Sequence, residues 1–157
     1  MSTLLVDELY SGIVFSQKIK VSRNISLTHL RPWVYLHGTL ATGDFQCRVL
    51  QGATVLKTQT INYVDINSAK TEAYAHGYIR FDFDSLILNR AQGEESTEYI
   101  FEFSMIYHTT DSSNYLGIVR EWDASSATVY GAVDMNGDAI NDQIEPCGYQ
   151  IYEYRSY

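Results

Sequence analysis

Glu98-Tyr-Ile-Phe-Glu-Phe-Ser-Met-Ile-Tyr-His108 is the stretch on which the fold turns. Tyr99, Phe101, Phe103, Met105 and Tyr107 point one way, and Glu102, Ser104 and His108 the other. Successive side chains of an extended chain project to opposite sides, so this period of two predicts a half-buried strand over 98–108. The same alternation recurs on either side. Ile79, Phe81 and Phe83 alternate with Arg80, Asp82 and Asp84, predicting a strand with a charged outer face. Phe45, Cys47 and Val49 share a face. So do Val34, Leu36 and Leu40, with Trp33, Tyr35 and His37 opposite. Ile13, Phe15, Ile19 and Val21 share another, broken only by Gln17. Further strands are predicted over 53–61, 114–121, 128–133 and 148–155.

Turn chemistry separates these segments: Ser22-Arg-Asn24, Ala41-Thr-Gly-Asp44, Gln51-Gly52, Asn89-Arg-Ala-Gln-Gly93, Thr110-Asp-Ser-Ser-Asn114 and Met135-Asn-Gly-Asp138. Pro32 is expected at the start of a strand, where a missing N–H is tolerated. The best helical candidate, 66–75, has Ala and Glu but no apolar stripe. Eight or nine strands joined by short turns predict an all-β fold, an antiparallel β-sandwich of jelly-roll-like form. The 157 residues show no internal repeat and no linker, so residues 1–157 are expected to form a single domain.

Charge narrows the partners. The chain carries a net −8, unevenly spread. Residues 1–60 hold six Lys/Arg against three Asp/Glu, while residues 61–145 hold four against fifteen. The balance argues against nucleic acid as a partner, because binding it needs a Lys/Arg patch to neutralise phosphates, although the basic residues of the first third could form a small patch after folding. No apolar run reaches the roughly 18 residues that span a bilayer, which excludes a membrane helix. Met1–Asp7 lacks the basic start and apolar core of a signal peptide, so synthesis in the cytoplasm without secretion is expected. Two cysteines make no disulfide framework. Cys47 is expected as a buried core thiol and Cys147, between Pro146 and Gly148, as a free thiol in a turn.

Asp134-Met-Asn-Gly-Asp-Ala-Ile-Asn-Asp-Gln-Ile-Glu145 is the segment nearest to a motif. Positions 1, 3, 5, 9 and 12 of a twelve-residue calcium loop would be Asp134, Asn136, Asp138, Asp142 and Glu145, all oxygen donors suited to Ca²⁺. It resembles the loops of EF-hand and dockerin-like modules. It departs from them in carrying Ala139 where the sharp turn wants glycine and in having no flanking helices. The competing expectation, and the one ranked first, is a β-hairpin turning at Asn136-Gly137, with the acids solvating the loop. No cofactor is required, and Ca²⁺ is the alternative.

Thirteen of the 21 aromatic residues are Tyr. Tyr149, Tyr152, Tyr154 and Tyr157 crowd the end of the sequence. Tyrosine pairs an apolar ring with a hydroxyl that prefers water, which suits interfaces and sugar stacking. Tyr115 and Tyr149 are expected in the core. Trp33, Trp122, Tyr152, Tyr154 and Tyr157 are the candidate residues for binding a carbohydrate or a protein partner. No catalytic motif appears. His29, His37, His76 and His108 are scattered, and the Asp82–Asp84 pair lies beside Arg80 on a charged face.

Thr97-Glu-Tyr-Ile-Phe-Glu-Phe-Ser-Met-Ile-Tyr107 followed by Asp111-Ser-Ser-Asn-Tyr-Leu-Gly-Ile-Val-Arg-Glu-Trp122 resembles jelly-roll sandwiches of carbohydrate-binding-module type. His37-Gly-Thr-Leu-Ala-Thr-Gly-Asp-Phe-Gln-Cys-Arg-Val-Leu50 is similar to their paired early strands. Such domains recur in tailed-phage virions as capsid decoration proteins and in tail fibres. The resemblance carries over no catalytic residues. It implies a non-enzymatic structural virion protein of a bacteriophage, a capsid decoration or accessory protein. Such a protein would meet other capsid proteins, or copies of itself, through an aromatic-rich surface. The alternative it implies is a carbohydrate-binding domain of a tail fibre or an enzyme, stabilised by Ca²⁺ and holding a glycan.

Overall fold

The computed structural model describes residues 2–9, 13–69, 75–108, 113–123, 128–130, 133–135, 138–139 and 152–156. Eight strands of eight or more residues form the body: β1 (Ser2–Leu9), β2 (Ile13–Val21), β3 (Ile25–His37), β4 (Asp44–Gln51), β5 (Thr54–Asn62), β7 (Phe81–Leu88), β8 (Thr97–Ile106) and β9 (Tyr115–Asp123). Shorter pieces are α1 (Tyr63–Ala69), β6 (Ala75–Tyr78), β10 (Thr128–Tyr130), β11 (Val133–Met135), β12 (Asp138–Ala139) and β13 (Tyr152–Ser156).

One sheet runs β1-β9-β3-β7 and the other β2-β8-β4-β5, every pair antiparallel. The chain crosses between the sheets at each step from β1 to β4 and again from β5 through β7 and β8 to β9. That order is the interleaved double Greek key of a jelly roll, so the expected antiparallel β-sandwich is the fold of this chain. β13 adds a fifth strand beside β2, and β6, β10, β11 and β12 extend the first sheet. No helix among the described residues is long and apolar enough to cross a membrane.

The core lies where the alternating faces meet. Phe45, Phe81 and Phe103, one from each of β4, β7 and β8, are fully buried, with ring centroids 5.1–6.1 Å apart. Cys47 sits beside them, buried as expected. Burial pushes its thiol well above the ordinary 9.0, because a thiolate there would lose its water. The folded chain holds this proton more tightly than the unfolded chain. The group's stability contribution is therefore complete below the ordinary thiol range and is lost as pH rises beyond it. In a Cys147→Ser background, Cys47 is expected to resist thiol reagents until the protein unfolds. The fall in melting temperature above about pH 9 should shrink in Cys47→Val; rapid native-state labelling would contradict the burial.

Four expectations about the elements and their bounds are corrected. Pro32 lies inside the thirteen-residue β3 rather than at its start. The Ile79 N–H donates to its carbonyl at 3.2 Å, but proline has no N–H to return the bond, and here the strand opposite β3 is interrupted into β6 and β7. Residues 2–9 form a strand that the sequence reading left out, paired along its whole length with β9. The helix is Tyr63–Ala69, earlier than 66–75, and it buries only Ile66. Finally, the strand expected over 98–108 ends at Ile106. Tyr107 turns out at φ +56° and is 81% exposed, while His108 is buried against the Thr42 carbonyl, 3.3 Å from its Nδ1. Gly43 makes room for this turn: a Cβ there would stand 2.9 Å from Met105 Cε and 3.0 Å from His108 Cβ.

The polar side of β8 also differs from its expected exposure. Glu102 and Ser104 are buried on the face opposite the core. Ser16, Glu102 and Arg48 form one row across β2, β8 and β4. The Arg48 guanidinium lies 3.3 Å from one carboxylate oxygen, and the Ser16 hydroxyl donates to the other at 3.4 Å. A buried carboxylate needs such partners, and this row supplies them.

Candidate functional site

β3 presents Trp33, Tyr35 and His37 at alternate positions on its outer side, as the alternation predicts. His37 is paired in register with Tyr115 on β9, and Tyr35 with Gly117. Directly opposed side chains on antiparallel strands stand close enough for rings to meet. The His37 and Tyr115 rings stack at 5.1 Å and 13°. Tyr35 closes the group, 6.1 Å from His37 and 6.3 Å from Tyr115, tilted against both. Gly117 projects no side chain between them. Tyr115 is thus half-exposed on the outer face, where the sequence reading placed it in the core.

The loops at this end hold the group still. His37 Nδ1 lies 2.9 Å from the Ser113 carbonyl, which only accepts, so Nδ1 carries the proton and donates. In the neutral ring, Nε2 is then an acceptor on an exposed residue. The Thr39 N–H donates to Asn114 Oδ1 at 3.0 Å. Asn67 of α1 clamps Leu40 from both sides: its Oδ1 accepts from the Leu40 N–H at 2.9 Å, and its Nδ2 donates to the Leu40 carbonyl at 2.8 Å. Gly38 adopts φ +71° to allow the approach. The result is a pre-ordered aromatic patch edged by an imidazole nitrogen and two phenols.

Four of the five candidate binding residues are described, and they lie on three strands in two sheets. Trp33 is half-buried and packs against the core. Trp122 lies in β9, its backbone paired with Thr3 and Val129. Tyr152 and Tyr154 belong to the other sheet, in β13, paired with Gln17 and Phe15. Tyr157 lies outside the described residues. Tyr35, His37 and Tyr115, which form the aromatic cluster, were not among the candidates. Their signal was present in part, since three consecutive alternate positions of β3 carry large aromatic rings on the side away from Val34 and Leu36.

Among the five calcium-loop candidates, Asp134 and Asp138 fall in a β11–β12 hairpin. Met135 pairs with Asp138 and Asp134 with Ala139, which leaves Asn136 and Gly137 as its two connecting residues. The pairing of Val133–Met135 with Asp138–Ala139 agrees with the hairpin expectation over those described residues. Asn136, Asp142 and Glu145 lie outside the described residues, as does Cys147. No group of three His, Cys, Asp or Glu able to hold a metal ion occurs among the described residues. Asp82 and Asp84 are exposed on β7, and Arg80 Nε donates to Asp82 at 2.6 Å, an exposed pair that contributes little to stability.

The chain matches no family model, no curated protein and no solved structure.

Proposed function

We propose that this protein is a non-enzymatic structural protein of a bacteriophage virion, a capsid decoration or accessory protein. It docks on other virion proteins through the Tyr35–His37–Tyr115 face. The observation that carries the reading is the pre-ordering of that face. Rings already held by cross-strand stacking and by the Ser113 and Asn114 contacts lose little freedom on binding, which is what interface anchors require. The jelly roll supports the setting, because capsid and lectin domains both use it, although a fold by itself does not dictate function. The polarised charge, net basic over 1–60 and net acidic over 61–145, orients the approach of a partner.

The test is co-sedimentation with purified particles. Wild type should pellet with them. His37→Ala/Tyr115→Ala should bind at least about tenfold more weakly, a loss of about 1.4 kcal/mol or more. Its melting temperature should fall by only a few degrees, because both rings lie outside the core. Particles that lack the protein would refute the reading.

A second reading, a carbohydrate-binding domain, rests on the same face. Aromatic rings edged by the His37 Nε2 acceptor and phenol hydroxyls suit a sugar, with its apolar ring face and hydroxyl rim. A glycan-array signal lost in the same double variant would favour it over the virion reading.

A further inference from the structure

The jelly roll is complete in eight strands, and β13 lies outside it. It adds to the free edge of β2, pairing Tyr152 with Gln17, Glu153 with Ser16, Tyr154 with Phe15, Arg155 with Val14 and Ser156 with Ile13. Without it, β2 would be an open nine-residue edge rich in β-branched and aromatic residues, a ready template for another strand. At one end of this seam stands Gln17, the residue that breaks the apolar face of Phe15, Ile19 and Val21. It is fully buried, and among the described residues neither its Oε1 nor its Nε2 has a hydrogen-bond partner. A buried amide unpaired at both ends is among the more destabilising groups a core can hold. Its row contains Tyr152 of β13 on one side and Phe101 of β8 on the other. Lifting β13 makes Gln17 an edge position that water reaches. Gln17 thus opposes the docking of β13, while the five backbone pairs favour it.

We propose that β13 is an exchangeable strand, docking either on β2 of its own chain or on β2 of a second copy. The occupant is a second copy because a swapped β13 makes the same five pairs that it makes at home, so no new complementarity is needed. Charge agrees: β13 carries one acid and one base, Glu153 and Arg155, opposite the neutral Ser16 and Val14. Twelve residues, 140–151, separate β12 from β13 in the sequence, enough chain to span about 40 Å when extended. The inference stands apart from the virion reading, since it concerns the far sheet and needs no particle.

Subunit exchange tests it on the full chain. Tagged and untagged copies, incubated together at high concentration, should yield a mixed dimer that survives rapid dilution and tag capture. Val14→Cys/Arg155→Cys in a Cys147→Ser background places two cysteines directly opposite across the seam, within disulfide reach. Oxidised when dilute it should close within one chain, and oxidised when concentrated it should give covalent dimers that thiol reduces to monomer. Gln17→Leu removes the unpaired amide at similar volume. It should raise the melting temperature and slow exchange by about tenfold or more. Monomer mass at every concentration would overturn the proposal. So would disulfides that stay within one chain, or a Gln17→Leu protein that exchanges as fast as wild type.

Discussion

Phe103→Ala is expected to lower the unfolding free energy by about 3–5 kcal/mol, the range for deleting a well-packed core phenylalanine. Phe103 is fully buried at the centre of the second sheet, on β8 between β2 and β4. Its ring meets Phe45 from its own sheet and Phe81 from the opposite one, both at 6.1 Å. Those two are themselves edge-on at 5.1 Å, so neither moves easily into the space a deleted ring would leave. For a domain of this size, about 2–4 °C accompanies each kcal/mol, so a fall of about 6–20 °C in melting temperature should follow. Val55→Ala is the control. Val55 is 42% exposed, and its truncation should stay within about 0.5 kcal/mol of wild type. If urea unfolding gave the two variants similar losses, the packing centre assigned here would be wrong.

Gly38→Ala is expected to damage both the fold and the aromatic face. Residue 38 holds φ +71°, where an L side chain crowds its own backbone at a cost of about 1–2 kcal/mol. A Cβ would also run into the Asn114 side-chain oxygen and stand 2.6 Å from the Ser113 carbonyl. These are the two acceptors that hold Thr39 and His37. Backbone cannot retreat as a flexible side chain does, so the total should reach about 2–4 kcal/mol. His37 should lose its fixed tautomer, visible in imidazole nitrogen shifts, and partner binding should weaken with it. Gly52→Ala separates strain from collision. Its φ of +59° is similar but nothing lies within 4 Å of the added carbon, so about 1 kcal/mol is expected there and no effect on binding. Equal losses at the two glycines would remove the contact argument.

Much of the framework was legible because alternation is a local property. Phe45, Cys47 and Val49, then Tyr99, Phe101, Phe103 and Met105, were placed on core faces by period two alone, and all are buried. Asn136-Gly137 marked a two-residue hairpin, and the flanking residues pair as such a turn requires. The site was less legible. His37 and Tyr115 are 78 positions apart in the chain, and nothing local to either indicates that β3 and β9 are neighbours in register. Tyr115, next to Leu116, therefore looked like one more core ring.

Taken alone, the amino-acid order determined the class of this protein. Its alternating runs point to strands, because a helix would scatter those apolar residues around its axis, and the short turns between them point to antiparallel pairing, because parallel neighbours need long crossovers. Tertiary structure decided what lies on the second side of each sheet. Period two separates two faces of a strand but does not say that both will be covered, and β8 at the sheet centre buries Glu102 and Ser104 as well as its phenylalanines. It also decided that Pro32 sits inside β3, tolerated where the facing strand breaks into β6 and β7. And it brought Tyr35, His37 and Tyr115 together, since strand order arises from long-range pairing that no short stretch of sequence encodes.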